Sequence, residues 1–435
     1  MPAVSQPLGG SGGSAPVAAM GGGASVAVGG MSSVSSGGSA PSEPRGPTPA
    51  ANGVNFPFPQ NRYSASCKYP NFKNSDVKAA FDKWKADTVT SDGANGFLRV
   101  KRPKDPGLEA NSTVSEGIAY GLLIAVYMGD QSLFDQLWKY EQTVLGKNGL
   151  MDWYILANGK DRGPNGSGAA SDADEDMAWA LLMADKQWGG KGGLGDTYFN
   201  IAKHQIEQVY NTEIQDDKLL KPGDGWGGWS TVNVSYFAPS YYRAFAKASG
   251  NDKWNQVLET SYDTLAKSLN ATNGNVDNGL VPAWCTSDGA PNPNVWKTGG
   301  GGDDAPTHYQ YDSCRTPFRI GLDFCQNNEA RAQSYVAKTS QFFANIGAKQ
   351  IVDGYDLNGT PRPQYQGGQS AAFIGPAAVG AMSSATYSTF LQDAYDNVAT
   401  LNLLVGGTYY DESWTVLSLL MMSGNFLDYA ALTPS

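Results

Sequence analysis

The sequence predicts an all-α protein, a single (α/α)6 barrel of six inner and six outer helices, and three observations carry that prediction. Helical periodicity recurs from Asp76 to near the end of the chain, in about twelve segments. The segments alternate between amphipathic and apolar nearly all round. Strand signals are sparse. An amphipathic helix lies on a surface, whereas one apolar all round is buried, so six αα-hairpins in series form two concentric rings with the inner helices parallel.

In chain order, residues 1–52 are dominated by Gly, Ser, Ala and Pro and lack the apolar surface that would offset the entropy of ordering, which predicts a disordered tail or linker before a folded barrel domain over 53–435. Helix starts are predicted near Asp76, Ser115, Ser132, Asp172, Gly195, Pro239, Asn251, Ser313, Asn328, Ala371, Tyr387 and Tyr410. The first, third and every second segment thereafter are amphipathic; near Asn251, for example, Trp254, Val257, Leu258, Leu265 and Leu269 are separated by Glu259, Asp263 and Lys267. Those between them are apolar or small all round, as in Gly117-Ile-Ala-Tyr-Gly-Leu-Leu-Ile-Ala125. A repeat is audible in Gly129-Asp-Gln-Ser-Leu-Phe-Asp-Gln-Leu137 and Gly250-Asn-Asp-Lys-Trp-Asn-Gln-Val257.

Composition narrows the function. A net charge of -10 over 435 residues works against phosphate backbones and anionic membrane surfaces, so no nucleic acid and no membrane partner is expected. The longest apolar stretch, Ile118 to Met128, is well short of the ~20 residues that span a bilayer. With four cysteines, no CxxC and only His204 and His308, a metal site is not expected, nor is a cofactor. One or two disulfides suit an extracellular protein, and four cysteines leave three complete pairings open. A secreted monomer is the expectation, although the first Lys or Arg is Arg45 and no signal peptide is evident.

Three acidic residues fall at predicted starts of inner helices: Glu116, Asp172 and Asp312. Parallel inner helices would bring them to one end of the barrel, as two-carboxylate sugar hydrolysis requires. Each also has a plainer reading as a cap: Thr113-Val-Ser-Glu116 is a capping box, Ser171 or Asp172 can cap the next helix, and Asp312 the helix whose first turn holds Pro317. Asp172 to Asp176 also imitates half a calcium loop, but Met177 and Met183 stand where Gly and Glu are required. Aromatic residues crowd the loops, among them Trp153, Trp226, Trp229, Tyr311, Tyr409 and Tyr410, and Gly-flanked Trp226 is read as a sugar-stacking platform. Trp84, Trp138 and Trp254 on outer helices are read as core. No nucleophile elbow or phosphate-cradling loop follows a strand signal.

At these residues the chain resembles glycoside hydrolase family 8, especially its bacterial endoglucanases. The resemblance covers about Tyr69 to Phe426 and rests on Ala170-Ser-Asp-Ala-Asp-Glu-Asp-Met-Ala-Trp-Ala-Leu-Leu-Met-Ala-Asp-Lys-Gln-Trp188, with Ser115-Glu-Gly-Ile-Ala-Tyr-Gly121, Lys221-Pro-Gly-Asp224 and Phe373-Ile-Gly-Pro376. It implies an inverting endo-acting hydrolase of β-1,4-glucan, cellulose or mixed-linkage, with chitosan and xylan as alternatives and an inert glucan-binding protein as the competing class. It further implies Glu116 as proton donor, Asp312 as the base that activates water, and Asp172 as the residue holding the sugar at the cleavage point. Trp153, Trp226, Tyr311, Arg315 and Tyr410 match sugar-contacting positions. Burial and the charge of a neighbour such as Asp172 are expected to keep Glu116 protonated against the helix dipole, while Asp312 is expected to stay ionised, helped by Arg315 if that side chain turns back.

Overall fold

A computed structural model describes residues 54–105, 107–295, 305–362, 369–404 and 408–431, without the side chains of 305 and 402–404. The tail read at 1–52 lies outside the described residues. Twelve α-helices are present among them: α1 (Asn74–Thr88), α2 (Ser115–Met128), α3 (Gln131–Glu141), α4 (Ser171–Trp188), α5 (Tyr198–Glu213), α6 (Pro239–Ser249), α7 (Trp254–Ser268), α8 (Thr316–Asn327), α9 (Ala330–Ile346), α10 (Ala371–Ala381), α11 (Ser388–Leu404) and α12 (Tyr409–Met422). Every predicted start falls within three residues of an observed one.

Even-numbered helices form the inner ring. Adjacent contacts join α2 to α4, α6 to α8, α8 to α10 and α10 to α12, and α12 returns to α2. Between α4 and α6 the seam is aromatic, with Trp179 stacked on Tyr241 at 4.3 Å. Each odd-numbered helix packs on an inner one, α1 on α12, α3 on α2, α5 on α4, α7 on α6, α9 on α8 and α11 on α10. The apolar composition of α2 explains its place: its residues from Ser115 to Tyr127 are all buried. Small residues let inner helices close up, and at Gly375 on α10 an added Cβ would collide with Ser418 of α12.

Local signals set the helix limits. Asp130, Thr197, Glu329 and Thr408 cap α3, α5, α9 and α12 through their side chains. Left-handed Gly129 and Gly250 end α2 and α6, which sharply reverses the chain into the next outer helix. Among the described residues, sheet is confined to two antiparallel pairs of two-residue strands, β1 (Val89–Thr90) with β2 (Arg99–Val100), and β3 (Thr113–Val114) with β4 (Tyr154–Ile155). A disulfide joins Cys67, ahead of α1, to Cys325 in α8, while Cys285 and Cys314 are buried thiols.

Candidate active site

Strand β3 delivers Glu116 into the first turn of α2, and the backbone N–H of Ser115 donates to the Trp153 carbonyl at 2.9 Å, which fixes the Trp153 loop to that helix. The capping readings do not hold. Val114, Ala170 and Arg315 occupy the N-cap positions of α2, α4 and α8, and none makes a side-chain cap. Thr113 Oγ1 instead donates to the Val100 carbonyl, and Ser171 Oγ to that of Lys221. Asp312 is not on a helix at all: α8 begins at Thr316, and Asp312 sits in the turn before it. Pro317 in the first turn fixes that start.

Arg315 gathers the mouth of the barrel. Its Nη1 donates to Glu116 Oε2, to Asp172 Oδ2 at 2.5 Å and to Tyr120 Oη at 3.3 Å. Its Nε donates to Ser235 Oγ at 3.2 Å, and the guanidinium lies 4.9 Å over the ring of Tyr236. Tyr409 Oη, from the start of α12, donates to Glu116 Oε1 at 2.5 Å. The N-terminal ends of α2, α4, α8 and α12 thus meet at one place, as a ring of parallel inner helices requires.

Asp312 is held differently. Arg315 makes no hydrogen bond to it among the described residues, since that guanidinium reaches across the mouth to the two carboxylates on α2 and α4, and acts on Asp312 through its charge alone. Asp312 Oδ2 instead accepts from Trp284 Nε1 at 3.0 Å and from Gln310 Nε2 at 3.3 Å. Oδ1 is buried and has no hydrogen-bond partner among the described residues, as is true of Asp172 Oδ1 and Arg315 Nη2. Buried polar atoms are normally paired, so these three are exceptions at the mouth of the barrel.

Charge and burial act together here. Burial pushes Asp312 up to about 6, against the charge of Arg315 and the hydrogen bonds of Trp284 and Gln310. Asp172 is likewise raised to about 6, by burial first, with Arg315 opposing and the charge of Glu116 adding. Tyr236 ties the group together: burial, then the charges of Asp172, Asp312 and Glu116, push its hydroxyl well above the ordinary phenol range, against Arg315.

Trp153 and Trp226 line one cavity of about 540 Å³ together with Lys147, Asp152, Arg162 and Asp224. Trp153 Nε1 donates to the Asn165 carbonyl at 2.6 Å, and Arg162 pairs with Asp152 at 2.6 Å. Two indoles thus stand beside fixed charges in one concave space. Tyr311 is buried, with its hydroxyl on Asp353 at 3.2 Å and its ring edge-on to Phe373. Tyr410 is also buried and donates to the Tyr311 carbonyl at 3.0 Å, so it braces the Asp312 turn from behind. Cys314 Sγ fills the same space, 3.3 Å from the Tyr311 carbonyl and 3.7 Å from Tyr410 Oη.

Sequence reasoning missed Tyr120, Ser235, Tyr236, Trp284 and Gln310, and noted Tyr409 only as one of the aromatics, with the site role given to Tyr410. Tyr409 and Tyr410 are neighbours at one helix start, and a helical pattern does not resolve which of two adjacent tyrosines turns to the mouth. Tyr120 lies one turn below Glu116 on the same face, at the i, i+4 spacing that was available to find it. Trp284 comes from an irregular stretch whose contacts no periodicity encodes.

The model of "Glycosyl hydrolases family 8" matches residues 56–424. Endoglucanase 2 of Ruminiclostridium josui is 38% identical over 382 residues, which cover 87% of this chain and 78% of that protein. Endoglucanase A of Acetivibrio thermocellus is 38% identical over 352 residues, 80% of this chain and 69% of that protein. Among solved structures, the apo β-1,3-1,4-glucanase of Paenibacillus sp. X4 superposes with a TM-score of 0.75 at 28% identity, over 86% of this chain and 99% of that one. The matched span contains every element of the carboxylate-lined mouth, and the chain belongs to glycosyl hydrolase family 8 and is a glycoside hydrolase.

Proposed function

We propose that the protein is an endo-1,4-β-glucanase that inverts anomeric configuration, with Glu116 as the general acid, Asp312 as the general base and Asp172 as the residue that holds the sugar at the point of cleavage. The observation that carries these roles is the contrast between carboxylates: Glu116 and Asp172 share one guanidinium, whereas Asp312 stands apart on an indole and an amide with Oδ1 unmet. Asp312, with its carboxyl near 6, is ionised at neutral pH and takes a proton from the water that attacks the anomeric carbon. Glu116, oriented by Arg315 and Tyr409, gives its proton to the departing glycosidic oxygen. Contacts from Asp172 and Arg315 to sugar hydroxyls are supported by the unmet Asp172 Oδ1 and Arg315 Nη2.

The choice of β-glucan over xylan or chitosan is supported by the two endoglucanases and the β-glucanase described above. Action outside the cell is supported by the Cys67–Cys325 disulfide, since such bonds persist in oxidising compartments. Glu116→Gln and Asp312→Asn should each lower kcat on cello-oligosaccharides by about 10²-fold or more with little change in KM. Proton NMR of the wild-type reaction should show the α-anomer first. Near-normal turnover in either variant removes its role, and initial β-product makes Asp312 or Asp172 a nucleophile. Reducing-sugar release from carboxymethylcellulose, xylan and chitosan side by side tests the substrate class.

A further inference from the structure

Asp312 is reached from a part of the chain that no catalytic reading of the sequence used. Residues 280–285 thread between two other loops, and their backbone is tied on both sides: Ala283 N donates to the His308 carbonyl at 2.8 Å, Trp284 N to that of Pro306 at 2.9 Å and Cys285 N to that of Val232 at 3.1 Å. The Trp284 carbonyl accepts from Asn292 N at 2.9 Å. The indole is fully buried and wedged between Trp226, 5.3 Å away, and the edge of Tyr236 at 5.9 Å. The N–H of this confined ring donates to Asp312 Oδ2 at 3.0 Å.

Gln310 holds the same carboxylate from the other side. Its Oε1 accepts the backbone N–H of Asp312 at 2.8 Å while its Nε2 donates to Oδ2 at 3.3 Å. Its own backbone is locked, with N donating to Ser313 Oγ at 2.8 Å and O accepting from Cys314 N at 2.9 Å. Two donors on one oxygen fix both the rotation of the carboxylate and the identity of the oxygen left over. The charged groups acting on that carboxylate are Arg315, from the start of α8, and Asp172, from α4.

We infer that Trp284 and Gln310 are positioning residues for the general base, which tether Asp312 Oδ2 so that Oδ1 alone is presented to the attacking water. The inference rests on Asp312 being the base. A general base must stand within hydrogen-bond reach of the proton it takes, with its accepting oxygen aligned, so freedom to rotate about the terminal bond lowers turnover without weakening substrate binding. Donors on a carboxylate also favour its ionised form, so their loss makes the base harder to deprotonate.

Three variants test this in the full-length enzyme. Asp312→Asn is measured first, and retained turnover there defeats the base assignment itself. If Asp312→Asn is inactive, Trp284→Phe, which keeps an aromatic ring and removes the N–H, should lower kcat at pH 7 about tenfold, leave KM for cello-oligosaccharides within about twofold, and move the acidic limb of the kcat profile to higher pH. An unmoved limb with kcat within about twofold of wild type overturns the inference, as does a rise in KM with kcat unchanged. Should Trp284→Phe lose its near-ultraviolet dichroism and its cooperative melt, Gln310→Leu reads the same tether from the other donor: the same upward movement of the limb is expected, and its absence in folded protein overturns the inference.

Discussion

At the scale of single residues, burial and charge oppose each other on the two carboxyls raised to about 6, and burial wins at both. For activity the consequence is direct. The proposed base, Asp312, must be ionised to act, so kcat should fall as pH drops through about 6, and a pH profile on a soluble cello-oligosaccharide should place the acidic limb there rather than near 4, the ordinary range of an aspartate. For stability the sign is the opposite of that of a salt-bridged carboxylate. A group whose folded pKa is raised binds its proton more tightly when folded, so its contribution is present at low pH and is lost as pH rises from about 3.8 towards 6. The activity optimum therefore lies above the pH at which these two groups favour the folded state most. Tyr409 and Arg315 show why residue identity at the mouth was only partly legible: the carboxylates were visible as acids at helix starts, but which donors meet them depends on side-chain direction across the barrel.

At the scale of elements, the interface of α3, α4 and α5 carries acids that the proposed mechanism does not use. Glu141 on α3, Asp174 on α4 and Glu213 on α5 are fully buried, and burial, with the charge of Glu141 adding, holds the Asp174 carboxyl well above its ordinary range. Burial pushes Glu141 up to about 8, against a hydrogen bond from Gln142. The folded state then holds a proton that the unfolded chain releases near 4.5, so stability falls as pH rises from there towards 8. Glu141→Gln should raise Tm at pH 8.5, by an amount corresponding to a few kcal/mol, and give little gain at pH 4; melts at the two pH values check this. The loop bearing Trp226 makes a separate demand. Because it lines the cavity with Trp153, Trp226→Ala should lower kcat/KM about 3- to 10-fold on long cello-oligosaccharides and less on short ones, the loss of one stacking face. Equal losses at every chain length would assign the ring to core packing.

At the scale of the whole molecule, the Cys67–Cys325 bond ties the segment ahead of α1 to the inner helix that follows the Asp312 turn, across 258 residues of sequence. Cross-links that close long loops restrict the unfolded chain most, so Cys67→Ala should cost about 2–4 kcal/mol. Thermal melts should show wild type shifting down in reductant and the variant not shifting further. Buried Cys285 and Cys314 lie apart from this bond, and burial holds both thiols above their ordinary range.

The sequence by itself determined the ring. Apolar composition on every side of Gly117–Ala125 admits only a buried helix, amphipathic spacing around Trp254 admits only a surface one, and their alternation leaves little choice but two concentric layers. It also placed Glu116 and Asp172 within a turn of the same end, because both are local properties of helix starts. Only the tertiary structure decided what holds the acids. Arg315 pairs with residues 199 and 143 positions away, and Trp284 reaches Asp312 from a loop without pattern. Contacts between distant segments are fixed by the closing of the ring and the confinement of rings such as Trp284, and periodicity, which records only how one segment faces its surroundings, carries no trace of them.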